Sequence, residues 1–169
     1  MTLQDFVLTD NNHFIASQNR NLFFKRVFLV LITKNYLVGL VCNNRLTVET
    51  NADLIINNKN NLLSTQRGSL NNPYSYLKAK MVKKIVNTNL YDKIILGINK
   101  ANFRIDRNDV KVAINNATRA KYLAKFPSDG TVYIETIKGI KHEFHLLGDQ
   151  NGNNVVQWIL KRHEDSDLN

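Results

Sequence analysis

The stretch that decides the fold is TVYIETIKGIKHEFHLL, residues 131–147, in which two alternating segments flank a short turn. The length of the turn sets which side chains share a face, because successive residues of a strand point to opposite sides. A two-residue turn at Lys138 and Gly139 would place Ile134 opposite Glu143. A three-residue turn with Gly139 in the left-handed conformation pairs Ile134 with His142 instead. We predict the three-residue turn, because it collects the apolar side chains on one face of the hairpin.

The same register decides how the HEFH motif is interpreted. It pairs Val132 with Phe144, directs His142 inward as a hydrogen-bonded, half-buried residue, and directs His145 outward to solvent, so that the two imidazoles cannot hold one ion. A helical HExxH zinc motif needs its histidines four residues apart, and these are three apart. The remaining histidines, His13 and His163, add no metal-ligand spacing. The pattern therefore predicts a strand and no metal site.

Alternation of apolar and polar residues predicts further strands on either side of this hairpin. Residues 27–33 and 36–41 are rich in β-branched residues and leucine, and Asn35 tolerates the positive φ of a tight turn between them. A further strand is expected at residues 46–49. From Asp92 onward, six short segments in succession favour an antiparallel sheet or barrel: DKIILGI, ANFRI, DVKVAIN, RAKYLAKF, TVYIETI and KHEFHLL. The first 20 or so residues are weakly patterned and predict a short helix or a loose arm.

Helical spacing is found in two places. Near residues 73–86, Asn72 is a candidate cap, Pro73 suits the first helical position, and the apolar residues are Tyr74, Leu77, Met81 and Ile85. The outer face of this helix carries Lys80, Lys83 and Lys84. After the capping sequence GDQNGNN, a second apolar arc consists of Val155, Val156, Ile159 and Leu160, with Trp158 at its margin.

The chain is predicted to form one α+β, mainly β, domain over residues 1–169. The architecture expected is a bent antiparallel β-sandwich or partly open barrel, closed by a C-terminal helix and carrying an inserted amphipathic helix. Residues 1–22 are expected to form an N-terminal arm, residues 57–89 the inserted loop and helix, and residues 164–169 a frayed tail.

Composition and net charge indicate what kind of partner the protein binds and in which compartment it is expected. The net charge of +9 and the pI of about 9.7 favour an anionic partner. The single cysteine, Cys42, excludes an intrachain disulfide, and with no apparent secretory leader the sequence predicts a cytoplasmic protein. The apolar run at residues 27–42 is interrupted by Lys34 and Asn35 and is shorter than a bilayer span requires.

The order of ANFRIDRNDVKVAIN, paired strands, GTVYIETIKGIKHEFHLL and a terminal helix with a tryptophan resembles the pleckstrin-homology superfold in its bacterial PH-like and GRAM-like forms. The resemblance covers residues 23–162, and Trp158 matches the tryptophan typical of eukaryotic PH helices. It implies a binding module and not an enzyme. Residues 36–41 contain neither arginine nor lysine, although Lys34 lies in the first turn. The phosphoinositide motif of that family is therefore absent.

The most basic segment of the predicted sheet carries the candidate binding residues. Arg119, Lys121 and Lys125 share one face of a strand, and Lys111 would lie beside them if the two strands pair as a hairpin through residues 115–116. Together with Lys80, Lys83 and Lys84 they predict a surface for an anionic partner. The alternative is that these cations only keep the surface solvated and protect the sheet from aggregation.

The sequence favours a non-catalytic binding or scaffolding module that recognises a protein partner or an anionic surface. Nucleic-acid binding is an alternative, although Tyr122 and Phe126 are expected to be buried and Tyr133 to lie exposed beside Glu143, which makes a poor stacking platform. A small enzyme is the other alternative. Against it, Cys42 fits packing, Asp106 and Asp109 fit a turn, and no nucleophile elbow or glycine-rich phosphate loop occurs. No cofactor and no catalytic residue is predicted.

Overall fold

The fold is given by a computed structural model, which describes residues 1–21, 24–42, 72–118 and 130–161. Several predictions lie outside these residues: the strand at residues 46–49, the first part of the insert at residues 57–71, the strand RAKYLAKF with the expected burial of Tyr122 and Phe126, and the frayed tail at residues 164–169. The protein is mainly β, with α-helices added to one antiparallel sheet, which confirms the coarse fold class.

Seven strands form one sheet, and its order shows two meanders that meet at β1 and β7. The order is β4-β3-β2-β1-β7-β6-β5, and every described pairing is antiparallel. The strands are β1 (His13–Asn21), β2 (Phe24–Ile32), β3 (Tyr36–Val41), β4 (Phe103–Asp106), β5 (Val110–Asn116), β6 (Thr131–Thr136) and β7 (Lys141–Leu146).

Strand β1 corrects the prediction of a short helix or loose arm at the N-terminus. It pairs with β2 along its length and with β7 through Ala16 and Ser17, so it joins the two meanders. Phe14, Ile15, Ala16 and Ser17 are all fully buried, which means that both faces of this strand are covered. A strand buried on both faces loses the alternation by which a sequence reveals it.

The two strands predicted upstream are confirmed as β2 and β3. Their turn does not use a positive φ at Asn35, because no non-glycine residue in the described part of the chain has one. The Thr33 N–H and hydroxyl instead donate to the Tyr36 carbonyl, both at 2.9 Å, and the Tyr36 N–H donates to the Thr33 hydroxyl. A threonine side chain closes this turn in place of left-handed backbone.

The β6–β7 hairpin has the predicted register. Ile134 pairs with His142, Val132 with Phe144 and Glu135 with Lys141. Gly139 has φ of +76°, and its N–H donates to the Thr136 carbonyl at 2.8 Å. A residue with a Cβ is strained at this φ, so the glycine fixes the turn length and thereby the register.

The helix predicted over residues 73–86 is broken in two. Pro73–Tyr76 is a 3₁₀ turn, Leu77 is extended with φ of −84° and ψ of 146°, and α1 spans Ala79–Ile85. The Asn72 side chain makes no capping hydrogen bond, contrary to the prediction. The break lets Tyr76 and Leu77 enter the core together, which a continuous helix would place about 100° apart.

The prediction that the segment DKIILGI forms a strand is wrong, because the helix α2 spans Ile94–Ile98. Short apolar runs do not distinguish a strand from a helix by periodicity alone. The tertiary structure decides: Ile95 is fully buried whereas Ile94 is 61% exposed. Asn102 ties this helix to the sheet, because its amide donates to the Ile95 carbonyl at 2.8 Å and its side-chain oxygen accepts from the Val41 N–H at 3.0 Å.

The insert between β3 and β4 rests on the first residues of the chain. The Tyr74 hydroxyl donates to the Phe6 carbonyl at 3.0 Å, and the Leu90 N–H donates to the Met1 carbonyl at 2.9 Å. The inserted helices and the N-terminal segment therefore form one layer beside the sheet.

Helix α3 (Gly152–Leu160) closes the fold against β5 and β6. The Asn151 side chain caps it by accepting from the Asn154 N–H at 3.0 Å, as the GDQNGNN sequence predicts. Val155 and Ile159 are buried, but Leu160 is 47% exposed and so does not belong to the buried arc. No helix among the described residues is long and apolar enough to cross a bilayer.

Candidate functional site

The inserted helices present the most one-sided charge of the described structure. Between residues 72 and 102 the sequence has six lysines and one acidic residue, Asp92. Helix α1 buries Met81 and Ile85, so the lysines at other positions of the turn must face outward. We call the following residues the α1 lysine face: Lys80, Lys83 and Lys84.

All three residues of the α1 lysine face are exposed, and none forms an ion pair with another described residue. Lys80 and Lys84 are four residues apart and therefore neighbours on the helix surface, where like charges repel. Lys83 and Lys84 do lie in the last turn, where the helix dipole favours cations. An anionic partner would relieve the repulsion among these ammonium groups.

The stripe predicted on the sheet is not assembled as expected. Arg119, Lys121 and Lys125 lie outside the residues that the structure describes. The predicted hairpin through residues 115–116 is wrong, because β5 runs through Asn115 and Asn116 and pairs with Val132 and Thr131 of β6. The residue type of Asn115 and Asn116 favours a turn, and the pairing with β6 overrides that preference.

Lys111 is on the surface as predicted, but it forms an ion pair with an acidic residue. Its ammonium lies 3.6 Å from a Glu135 carboxylate oxygen, and the Lys141 ammonium lies 3.7 Å from the other oxygen. The second contact shows that Glu135 faces Lys141 on the outside of the hairpin. Exposed pairs of this kind contribute at most about 1 kcal/mol. Lys111 therefore contributes less free positive charge than the α1 lysine face.

Arg107 is the basic residue that the sequence did not single out. It lies in the 3₁₀ turn Arg107–Asp109 between β4 and β5, with its guanidinium half-buried against the end of α3. The guanidinium donates to the carbonyls of Thr33, Lys34, Trp158, Ile159 and Lys161, at distances of 2.8–3.2 Å for the first four.

These contacts satisfy the carbonyls that a helix end leaves without partners and place a cation where the helix dipole is negative. Burial lowers the pKa of Arg107, although a guanidinium stays charged throughout the physiological range. The side chain ties α3 to the β2–β3 turn. Its signal in the sequence was only an arginine flanked by turn formers, which does not reveal a partner about 50 residues away.

Two hollows lie on either side of Arg107 and Lys34. The smaller, of about 380 Å³, lies between the β2–β3 turn, the start of β5 and the end of α3. The larger, of about 680 Å³, lies between the N-terminal segment, the β2–β3 turn and α3, and we call it the α3 groove. Among the described residues, neither lining includes an Asp or Glu. The α3 groove is lined by Met1, Phe6, Val7, Thr9, Asn11, Asn12, Ile32, Thr33, Lys34, Tyr91, Arg107, Gln157, Trp158 and Lys161.

The histidines follow the prediction in part. His142 is half-buried, its Nδ1 lies 3.5 Å from the Gln18 amide nitrogen, and burial lowers its pKa. His145 was predicted to be solvated and is instead 4% exposed, with Nδ1 2.9 Å from the Thr131 hydroxyl and Nε2 3.4 Å from a Glu143 oxygen. The outer face of β7 is covered at this position, which alternation within the strand does not reveal. No group of three or more metal-ligating side chains occurs among the described residues.

The residues weighed for catalysis have structural partners. Cys42 is buried at the end of β3, and burial raises the pKa of its thiol. The Asp106 carboxylate accepts from the Asn108 N–H at 2.9 Å, which fits the turn predicted there, and the Asp109 carboxylate lies 3.3 Å from the Lys138 ammonium. Tyr133 is exposed and its hydroxyl donates to Glu143 at 3.4 Å, also as predicted.

Together these features define a mainly β structure that has basic inserted helices and a second set of basic residues, Lys34, Arg107 and Lys161, around the α3 groove. No family model, no curated protein and no solved structure matches the chain.

Proposed function

We propose that the protein is a non-catalytic binding or scaffolding module that recognises an acidic partner protein or another anionic surface. The observation that carries this proposal is the α1 lysine face, because its three ammonium groups are exposed and unmatched by any described carboxylate. The insert that presents it rests on the N-terminal segment and on the sheet, so the lysines stand on an ordered support.

The architecture supports a PH-like module in particular. The resemblance implies a bent seven-stranded β-sandwich closed by one C-terminal helix, and the proposal draws support from the seven antiparallel strands and from the terminal helix that packs on β5 and β6. Trp158 is half-buried in that helix, and in this proposal it corresponds to the tryptophan typical of eukaryotic PH helices. In this proposal the basic helical insert between β3 and β4 replaces the strand arginines of phosphoinositide-binding PH domains.

Nucleic acid is the rival partner, and the described surface gives it less support. Single-stranded nucleic acid is held by exposed aromatic rings interleaved with cations. Tyr133 is exposed, but its hydroxyl is committed to Glu143, which would repel a phosphate backbone. The described lysines of the insert, in contrast, provide charge without an exposed aromatic ring on the same helix.

The test compares two pairs of substitutions that change the net charge equally. Lys80→Gln with Lys84→Gln removes two charges from the α1 lysine face, and Lys138→Gln with Lys141→Gln removes two from the β6–β7 hairpin. Binding of fluorescent poly-glutamate, phosphatidylserine vesicles and a poly-dT oligonucleotide is measured over a salt series. We expect the first pair to weaken poly-glutamate binding about tenfold at low salt, and the second pair to weaken it no more than about twofold.

Equal effects of the two pairs would show that only overall charge matters and would overturn the role of α1. Preferential binding of poly-dT, with affinity that falls steeply with salt and depends on the same lysines, would favour the nucleic-acid alternative. Thermal unfolding of each variant serves as the control for folding, since exposed lysines on a helix contribute little to stability.

A further inference from the structure

Exposed apolar side chains are concentrated on the second meander. Nine large hydrophobic side chains are exposed among the residues that the structure describes, and five of them belong to β5, β6 or the turn after β6. Three of the five, which we call the β5–β6 patch, are Val112, Ile114 and Tyr133, with exposed fractions of 40%, 54% and 36%. The other two, Ile137 and Ile140, belong to the turn between β6 and β7. Single apolar residues are normal on a surface, whereas a cluster marks a contact site.

The strand register places the side chains of the β5–β6 patch next to one another on the outer face of the sheet. Ile114 is paired with Tyr133 and Val112 with Glu135, while Ala113, between the two patch residues of β5, is buried on the inner face. Paired residues of neighbouring strands lie about 5 Å apart, and successive outward residues of one strand lie about 7 Å apart. The patch is therefore one continuous apolar surface.

Charged groups of both signs border the β5–β6 patch. Lys111 lies at the bulge of β5, Glu135 and Lys141 are paired across β6 and β7, and Glu143 lies on β7 opposite the patch. The side chains of both lysines and of Glu143 are substantially exposed. A strongly acidic or strongly basic partner would meet like charge as well as opposite charge on this border. A second copy of the chain presents the same two signs and can place each against its opposite.

A two-fold axis that runs diagonally across the outer face at Ile114 suits both the apolar and the charged residues. With spacings of about 5 Å between strands and about 7 Å along them, this axis places Ile114 against its own copy and Tyr133 against the partner's Val112. It also brings Lys111 opposite the partner's Glu143, twice in a symmetric pair. The strands of the two copies then cross at nearly a right angle, which is one of the two ways in which sheets pack face to face.

The charged residues keep their present contacts in this arrangement. The Lys111 ammonium lies 3.6 Å from a Glu135 oxygen, and Glu143 accepts from the Tyr133 hydroxyl at 3.4 Å. An ammonium has three donors and a carboxylate accepts several hydrogen bonds, so each group has capacity for a further contact across the interface. Exposed ion pairs contribute little free energy, so the apolar patch supplies the affinity and the charges fix the orientation.

We propose that the outer face of the second meander is the contact surface of a symmetric homodimer, in which the β5–β6 patch packs against the same patch of a second copy. The apolar centre of this surface is small, which predicts a weak dimer with a Kd in roughly the micromolar range. The inference goes beyond the proposed function and does not rest on it, because the α1 lysine face lies on a different element. It adds that each assembly carries two α1 lysine faces.

Sedimentation velocity of the intact protein over a concentration series measures the association. We expect a monomer–dimer equilibrium that Ile114→Lys shifts toward the monomer, with the Kd raised at least about tenfold, because like charges would face each other on the two-fold axis. Ile94→Lys is the matched control, because it adds the same charge at a residue that is 61% exposed on α2. We expect this control to change the Kd by no more than about twofold.

Two charge reversals test the orientation between chains. Lys111→Glu and Glu143→Lys should each weaken the homodimer, because each places like charges opposite each other. An equimolar mixture of the two single variants should form a heterodimer with a Kd within about threefold of that of the wild type, because both contacts across the interface then join opposite charges. Thermal unfolding of each variant is the control for folding, and a change in the stability of one chain does not produce recovery in the mixture.

A wild-type protein that stays monomeric up to about 1 mM would overturn the inference. A dimer that Ile114→Lys and Ile94→Lys affect equally would also overturn it, because the contact surface would then lie elsewhere or only overall charge would matter. A mixture of the two charge-reversal variants that remains monomeric would refute the diagonal axis and with it the proposed dimer. The proposed function is judged separately, by the dependence of poly-glutamate binding on Lys80 and Lys84.

Discussion

The contact between Gly39 of β3 and the Phe103 ring of β4 provides the sharpest test of how the first meander is packed. The two residues are paired across β3 and β4, and the Phe103 ring lies directly over the glycine. A Cβ on residue 39 would come within 2.0 Å of Phe103 Cε1, 2.2 Å of Cζ and 2.5 Å of Cδ1. Gly39→Ala therefore requires the ring to move by more than about 1 Å to reach ordinary contact distance.

The ring cannot move without giving up other aromatic contacts. Its centroid lies 5.2 Å from that of Phe28, 5.6 Å from that of Phe144 and 6.0 Å from that of His142. Overpacking of this kind costs about 1–3 kcal/mol, and each aromatic contact that is lost adds about 0.5–1.5 kcal/mol. The reduced entropy of the unfolded chain offsets about 0.4–1 kcal/mol. The expected net loss of stability is about 2–3 kcal/mol.

Urea unfolding followed by circular dichroism measures this loss, with the double-mutant cycle as the control. In a Phe103→Ala background the space above residue 39 is open, so Gly39→Ala should be neutral or stabilising by about 0.5–1 kcal/mol, as alanine is favoured over glycine within a strand. The reasoning is refuted if Gly39→Ala costs less than about 0.5 kcal/mol alone, or the same amount in both backgrounds.

Three further predictions concern the second meander, the helix ends and the pH dependence. Gly152→Ala should destabilise the protein by about 1–3 kcal/mol in thermal unfolding, because the new Cβ would lie 2.4–2.7 Å from the Asn115 side-chain amide. Gly97→Ala has no atom within 4 Å of the new Cβ and should stabilise the protein by about 0.5–1 kcal/mol in the same assay. The opposite order would contradict the packing of α3 on β5. Arg107→Met should lower the free energy of unfolding in urea by about 2–4 kcal/mol and accelerate amide exchange in the last turn of α3, because the carbonyls there lose a charged donor. Unchanged exchange would show that Arg107 does not hold the helix end. Burial lowers the pKa of His142 in the folded state below its ordinary value of 6.5, so the unfolded chain binds the proton more readily and stability should be lost as the pH falls through and below 6.5. His142→Gln should flatten the pH dependence of the urea midpoint in this range, and an unaltered slope would assign the loss to another group.

The sequence was informative where a local rule coincided with the tertiary environment. In residues 131–147, period two and a glycine that can adopt positive φ gave the register of β6 and β7, and the pairs Ile134–His142 and Glu135–Lys141 follow from it. The capping sequence before α3 worked in the same way. The lysines of α1 were placed on the surface because the apolar residues at helical spacing had to be buried.

The sequence failed where burial on both sides of an element removed the alternation. Ala16 and Ser17 of β1 are both buried, so the sequence pattern predicts an arm where β1 lies, and it predicts a solvated His145 although that residue is covered. The pattern predicts a strand in place of α2 because a five-residue apolar segment fits either period. In each case the missing information was the neighbour, not the residue.

The sequence by itself determined the basic character of the protein, the hairpin of β6 and β7, the terminal helix and the lysines that face outward on α1, because charge, period and turn chemistry act within a few residues. The tertiary structure alone decided that β1 joins the two meanders, that Arg107 holds the end of α3, and that the α3 groove exists. These features arise from contacts between residues far apart in the chain, and no local pattern encodes which distant surface will cover a side chain.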